Sequence, residues 1–257
     1  MYNFNDKTVL ITGATGSIGQ EIARQFGLAE ATLLLHGNKN VEKLEQLACE
    51  INTKNNKVHT FIADFHRQND LEKFIFDITT NFPSVDTLIN TAGLNLMSPE
   101  MSQTTFDKRL ESILNLDVLA TIRLSRRICD TMLKQGRGTI FFFGWDGVDY
   151  GWHGETAQLY GTAKGAIQGY ARSLAETVSP QIRIRSISLG WIKTNWGKPQ
   201  NNNFINRVKS DSLTQRLGEP REIAETVMFL TSESANYFDG INIRLNGGKR
   251  GTKFNSI

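Results

Sequence analysis

Cysteine is scarce: the 257 residues include only two, Cys49 and Cys129. Two thiols cannot build the disulfide framework of a small secreted scaffold, so a reducing compartment is the natural home. An excess of one charge is also lacking, since 29 basic residues face 26 acidic ones and the formal net charge is +3. The clearest basic cluster, Lys249, Arg250 and Lys253, reads as a solvated tail over 249–257 and not as a nucleic-acid surface. Long apolar runs are missing as well. The longest, such as Ile140 to Phe143, fall far short of the roughly 20 residues that span a bilayer. The opening Met1-Tyr2-Asn3-Phe4-Asn5-Asp6-Lys7 is too polar for a secretion signal. These absences exclude membrane and nucleic-acid roles and leave a cytoplasmic protein with a small-molecule partner.

An apolar content of 39% excludes a disordered chain, and residues 1–257 suit one domain of the α/β kind. Short apolar runs recur at Thr8–Thr12, Thr32–His36, Lys57–Ala63, Thr87–Asn90, Thr139–Phe143, Ile182–Leu189 and Ile241–Leu245. Between them lie stretches with apolar spacing of three and four, such as Val41, Leu44, Leu47, Ala48 and Ile51. Strand–helix alternation predicts a parallel sheet covered on both faces, because every parallel crossover needs a helix. Continuous apolar strands fit that burial. The stretch from Gly197 to Asn203 reads as a surface loop within a longer substrate loop at about 190–210.

The first strand runs into Thr12-Gly13-Ala14-Thr15-Gly16-Ser17-Ile18-Gly19, with a helix following. Glycines in that context let the backbone approach a pyrophosphate, and the helix N-terminus offers N–H groups to it. Gly13, Thr15, Ser17, Ile18 and Gly19 are therefore expected at a dinucleotide. The second strand ends in His36-Gly37-Asn38-Lys39, without the carboxylate that holds the ribose hydroxyls in NAD sites. Asn38 and Lys39 thus favour NADP(H) over NAD(H), with Lys39 pairing the 2′-phosphate unless it is only a solvated loop lysine. Asp64, followed by Phe65, stands either at the adenine or as a helix cap. No metal is expected.

Tyr160-Gly161-Thr162-Ala163-Lys164 opens a helical stretch, so the phenol and the ammonium share one helix face. An ammonium beside a phenol favours phenolate and makes a tyrosine a competent acid–base. With the glycine loop, this pattern resembles the short-chain dehydrogenase/reductase family, in particular its short branch of 3-oxoacyl carrier-protein reductases. Further matching pieces are Asn90-Thr91-Ala92-Gly93, Asn115 in Leu114-Asn115-Leu116, Gly190-Trp191-Ile192-Lys193-Thr194, Arg216 to Ala224, and Asn246-Gly247-Gly248. The resemblance implies a doubly wound Rossmann-type parallel sheet of seven strands, assembled as a homotetramer or dimer. It also implies that Tyr160 donates a proton as hydride arrives, that Lys164 holds the nicotinamide ribose, and that Asn115 holds a relay water. Asn90, Ala92, Gly93, Gly190, Ile192 and Thr194 would line the cofactor.

The chain departs from the family where a catalytic serine is expected after the fifth strand. Trp145 and Asp146 stand there, and residues 139–159 contain no serine. Trp donates one N–H and accepts nothing, and an ionised Asp only accepts, so neither copies a hydroxyl. An ionised Asp146 beside a developing oxyanion would repel it and should face away or be protonated. Leu189 replaces the usual proline before Gly190, and Arg185 the usual asparagine. All four tryptophans, Trp145, Trp152, Trp191 and Trp196, fall after the fifth and sixth strands, where ligands bind in such folds. They form either an aromatic substrate wall, with Asp146 beside it, or a subunit contact. The expected activity is NADP(H)-dependent reduction of a carbonyl. Reduction of a conjugated C=C or C=N bond, which needs the serine less, and dinucleotide binding without turnover are the alternatives.

Overall fold

The computed structural model describes residues 2–52, 56–194 and 202–249. Strands β1 (Thr8–Thr12), β2 (Thr32–Gly37), β3 (Val58–Ile62), β4 (Thr87–Asn90), β5 (Gly138–Trp145), β6 (Ile182–Leu189) and β7 (Asn242–Leu245) form one sheet in the order β3-β2-β1-β4-β5-β6-β7. Every pairing is parallel. This is the Rossmann-type doubly wound α/β fold expected from the alternation of elements.

The helices are α1 (Ser17–Leu28), α2 (Val41–Ile51), α3 (Gln68–Asn81), the short α4 (Pro99–Ser102), α5 (Phe106–Ile113), α6 (Thr121–Gln135), α7 (Glu155–Val178), α8 (Asn202–Asp211) and α9 (Pro220–Thr231). They cover both faces of the sheet, and alternate strand residues feed opposite layers. Val9, Leu33, Leu35 and Phe141 pack with Ile22, Phe26, Leu44 and Val227 of α1, α2 and α9. Leu10, Leu34, Ile140 and Phe142 pack with Phe74, Ile78, Ile128 and Ile167 of α3, α6 and α7. Full burial of each such side chain contributes about 1.5–3 kcal/mol, so the apolar strand runs are themselves the main stabilising feature. Among the described residues, no helix is long and apolar enough to cross a membrane.

Two features position the site. The chain winds outward from β1 to β2 in one direction and to β4 in the other, with Thr12 of β1 opposite Asn90 of β4. Such a switch point opens a crevice at the carboxyl ends of the strands. Between α5 and α6 the helix widens into a π-helical stretch, Leu114–Ala120, which turns Asp117 inward, fully buried at the side chain. Arg185 of β6 is also fully buried and donates Nη2 to the Ala235 carbonyl at 2.9 Å. Burial lowers its pKa to about 10, with Asp239 opposing that shift. Arg185 thus ties β6 to the segment that leads into β7, away from the crevice.

Candidate active site

The crevice is a cleft of about 630 Å³ that runs from the glycine loop to the head of α7. Its floor at one end is the loop between β1 and α1. Gly13 has φ +66°, and a Cβ there would lie 2.7 Å from the Ala92 backbone. A Cβ on Gly19 would lie 2.5 Å from the Gly13 carbonyl oxygen. Only glycine allows this loop to close against the turn after β4. The first turn of α1 has no side-chain cap and no acidic residue. Its amide groups and the positive end of the helix dipole suit a pyrophosphate, so the residues present fit a dinucleotide.

His36 at the end of β2 braces the loop. Its Nδ1 accepts from the Gly13 N–H at 3.3 Å, and its Nε2 therefore donates to the Ala63 carbonyl at 3.0 Å. Phe65 stacks on the imidazole with centroids 3.8 Å apart and an interplanar angle of 4°. Burial pushes the His36 pKa down to about 4, against the opposing pull of the Ala63 hydrogen bond and Asp64. The ring is thus neutral in the tautomer that serves both partners.

Of the expected cofactor residues, Thr15, Ser17, Ile18 and Gly19 line the cleft, as do Asn90, Ala92 and Gly93 after β4 and Gly190, Ile192 and Thr194 after β6. Gly13 lies just beneath them against Ala92. The Asn90 amide is committed to the Phe141 carbonyl and the Ser125 hydroxyl. Ile192 is fixed by a bridge to Gly218, just before the Glu219–Glu222 capping box of α9.

Four of the residues expected at the adenosine end lie off the cleft wall. Among the described residues on the cleft wall, Asn38, Lys39, Asp64 and Phe65 are absent and Lys43 is present. Phe65 is spent in the core, stacked on His36. Asp64 accepts from the His66 N–H at 3.1 Å in the turn ahead of α3 and does not cap that helix, whose N-cap is Arg67. Lys39 is exposed on the turn before α2. Lys43, whose N–H is capped by Asn40, sits in the first turn of α2, and that turn carries it back over the glycine loop.

At the other end, Tyr160 and Lys164 of α7 both open into the cleft, and the Lys164 ammonium lies 5.3 Å from the Tyr160 ring centroid. The residue paired with Lys164 is Asp117. Asp117 Oδ2 lies 2.9 Å from Lys164 Nζ, and its Oδ1 accepts from the Leu94 N–H at 2.8 Å. Asn115 is two residues away, so its side chain leaves the helix on nearly the opposite side, and it does not line the cleft. Burial disfavours the Lys164 charge, but Asp117 and Tyr160 outweigh it and the pKa is raised. A charged residue inside the apolar run Leu114 to Ala120 was the sequence signal for this partner.

Trp145 ends β5 and meets Tyr160 edge to face, with centroids 5.7 Å apart. Trp145, Trp152 and Trp191 all line the cleft, and Trp196 lies outside the described residues. Asp146 does not line it. Asp146 opens the 3₁₀ turn Asp146–Val148 that follows β5, and its side chain turns behind the wall. There it accepts from Asn246 Nδ2 at 3.0 Å and from the Tyr150 hydroxyl. Burial and Asp146 together raise the Tyr150 pKa, which keeps that hydroxyl a donor.

A parallel sheet with a glycine-loop cleft and a tyrosine–lysine pair at its far end defines a nucleotide-binding oxidoreductase. The family model described as enoyl-(acyl carrier protein) reductase matches residues 13–250. The chain belongs to the short-chain dehydrogenase/reductase family. It is 28% identical over 251 residues to nodulation protein G of Rhizobium sp., covering 96% of this chain and 98% of that one. It is 27% identical over 245 residues to the 3-oxoacyl-[acyl-carrier-protein] reductase of Aquifex aeolicus, covering 94% and 96%. The crystal structure of a short-chain dehydrogenase/reductase (glucose/ribitol dehydrogenase) from Brucella melitensis superposes with a TM-score of 0.82 at 26% identity, covering 96% and 98%.

Proposed function

We propose that the protein is an NADP(H)-dependent reductase of a small-molecule carbonyl compound, with Tyr160 as proton donor. The observation that carries this reading is that Tyr160 and Lys164 open into the same cleft as the glycine loop. The 3-oxoacyl-[acyl-carrier-protein] reductase of Aquifex aeolicus supports the reaction class. When bound, the dihydronicotinamide supplies hydride to the carbonyl carbon. Tyr160 gives its hydroxyl proton to the carbonyl oxygen, and the Lys164 ammonium steadies the phenolate left behind. Asp117 keeps that ammonium charged in a buried setting and offsets part of its field. Thr15, Ser17, Ile18 and Gly19 would hold the pyrophosphate, and Lys43 the 2′-phosphate.

Trp145 leaves the carbonyl oxygen with one hydroxyl donor fewer than the family pattern, and losing one such donor costs about 10²–10³ in rate. That favours a second reading, reduction of a conjugated C=C or C=N bond, where less charge gathers on oxygen. The family model's description as an enoyl reductase supports it. The free thiols, with Cys49 exposed and Cys129 buried, suit a cytoplasmic setting. We also propose a single domain over 1–257 and assembly as a homo-oligomer, on the family resemblance. Titration with NADPH and with NADH, followed by tryptophan emission and calorimetry, tests the cofactor assignment. Micromolar NADPH binding with much weaker NADH supports it, and no saturable binding of either overturns it.

A further inference from the structure

We propose that the cleft takes a neutral, planar aromatic carbonyl compound, an inference that rests on the reductase reading and narrows its substrate. The wall facing Tyr160 is a chain of rings. Trp152 and Trp191 meet at 5.8 Å and 63°, and Trp191 meets Phe204 of α8 at 5.1 Å and 86°. Trp145 adds a further ring on the cleft wall, edge to face with Tyr160 at 67°. Elsewhere the protein fills its interior with fully buried Leu, Ile and Phe, whereas these three indoles are only half-buried and border the cleft. Large aromatic surface left facing a cavity gains free energy when a flat apolar guest covers it. Edge-to-face rings present both faces and edges to such a guest, and a flexible chain cannot match that geometry without losing its own freedom.

Charge makes the second half of the case. Among the described residues of the cleft wall, the basic side chains are Lys43 at the glycine loop, Lys164 and His153. Lys164 is already paired with Asp117 at 2.9 Å. Arg207 and Lys249 lie over the Trp152 ring at 5.3 and 4.8 Å, but neither borders the cleft. They hold the ring in place, and Lys249 also faces Asp211 at 3.7 Å. Beyond Lys43 and Lys164 the described cleft wall carries no lysine or arginine, so a carboxylate or phosphate on the substrate would enter the aromatic pocket at a desolvation cost. In the reaction, the carbonyl carbon gains hydride from the dihydronicotinamide and the oxygen gains the Tyr160 proton, so a ketone or aldehyde becomes an alcohol and the cofactor is oxidised.

The test is calorimetric binding to the full-length protein with NADP⁺ present, using acetylnaphthalene, a linear methyl ketone of the same carbon count, and the anionic acetylnaphthoate. The expected result is binding of acetylnaphthalene about tenfold or more tighter than either comparator. In Trp191→Leu, which keeps an apolar side chain, the aromatic-to-linear ratio should fall about tenfold. Equal affinity for all three probes, tighter binding of the anion, or no binding of acetylnaphthalene would each overturn the proposal. Turnover separates the two readings. An aromatic preference in binding with no NADPH oxidation would sink the reductase assignment but not the aromatic site, and equal turnover of both ketones would do the reverse.

Discussion

The carboxylate of Asp117 and the ammonium of Lys164 form a buried ion pair at 2.9 Å directly beneath the cleft. Asp117 also receives the Leu94 N–H, so one side chain fixes both the lysine and the loop after β4. The pair sets how much positive field reaches Tyr160, and this makes it the most informative place to perturb.

Asp117→Asn keeps a side-chain oxygen for the Leu94 N–H but leaves the Lys164 charge without its partner. Breaking a buried pair from one side costs about 3–5 kcal/mol, and the melting temperature should fall accordingly. Lys164 has a folded-state pKa raised above its ordinary 10.5, so the pair's contribution is fully present below that pH and is lost only as pH rises beyond it. Denaturant melts across neutral to strongly alkaline pH should show that late loss in the parent and not in the variant. With the carboxylate gone, burial acts on the Lys164 ammonium without its main opponent, so its charge is lost at lower pH and the pH–rate profile of reduction should change. An unchanged profile would show that Asp117 does not act on the catalytic pair.

His36 predicts the acid behaviour. Its pKa is about 4 when folded and 6.5 in its ordinary state, so the unfolded chain takes up the proton first as pH falls. Stability is complete above pH 6.5 and declines toward pH 4, by a total on the order of 3 kcal/mol. Protonation also removes the acceptor for the Gly13 N–H, so dinucleotide affinity should weaken in the same window. Urea melts at intervals across it should slope in the parent and be flatter in His36→Leu.

The proposed NADP(H) preference rests on Lys43 at the cleft wall. Lys43→Ala should weaken NADPH binding about tenfold and leave NADH binding unchanged, since one lost charge-assisted contact is worth about 1–2 kcal/mol. Lys39→Ala should change neither by more than a small factor. If Lys39→Ala carries the larger loss, the loop at the end of β2 closes on the nucleotide and Lys43 is a bystander.

Trp145→Ser restores a hydroxyl next to Tyr160. Steady-state kinetics with a linear methyl ketone should show kcat rising about tenfold to a hundredfold if the missing donor limits carbonyl reduction. No rise, together with fast turnover of an enone or imine by the parent, would favour the C=C or C=N reading.

The strands were legible because their apolar runs are continuous, and strand alternation then divides them between two helical layers. Tyr160 and Lys164 were legible because a spacing of four on a helix brings side chains together regardless of what surrounds them. Asp117 was not, because the π-helical turn from Leu114 to Ala120 changes which residue faces inward, and Asn115 matched the expected residue type. Lys43 is less legible, because motif spacing points to the end of β2 while the first turn of α2 puts Lys43 on the same cleft wall as the glycine loop. Sequence adjacency puts Asp146 beside Trp145, but the 3₁₀ turn that begins at Asp146 takes its side chain off the cleft wall.

Single-turnover hydride transfer tests the central assignment most directly, using protein with stoichiometric NADPH and excess acetylnaphthalene, in the parent and in Tyr160→Phe. One NADPH per site should be oxidised in the parent. In the variant, transfer should be slower by about a hundredfold or more with NADPH affinity unchanged. Equal rates in the two proteins, or no transfer in the parent despite bound NADPH, would contradict Tyr160 as the proton donor of a reductase.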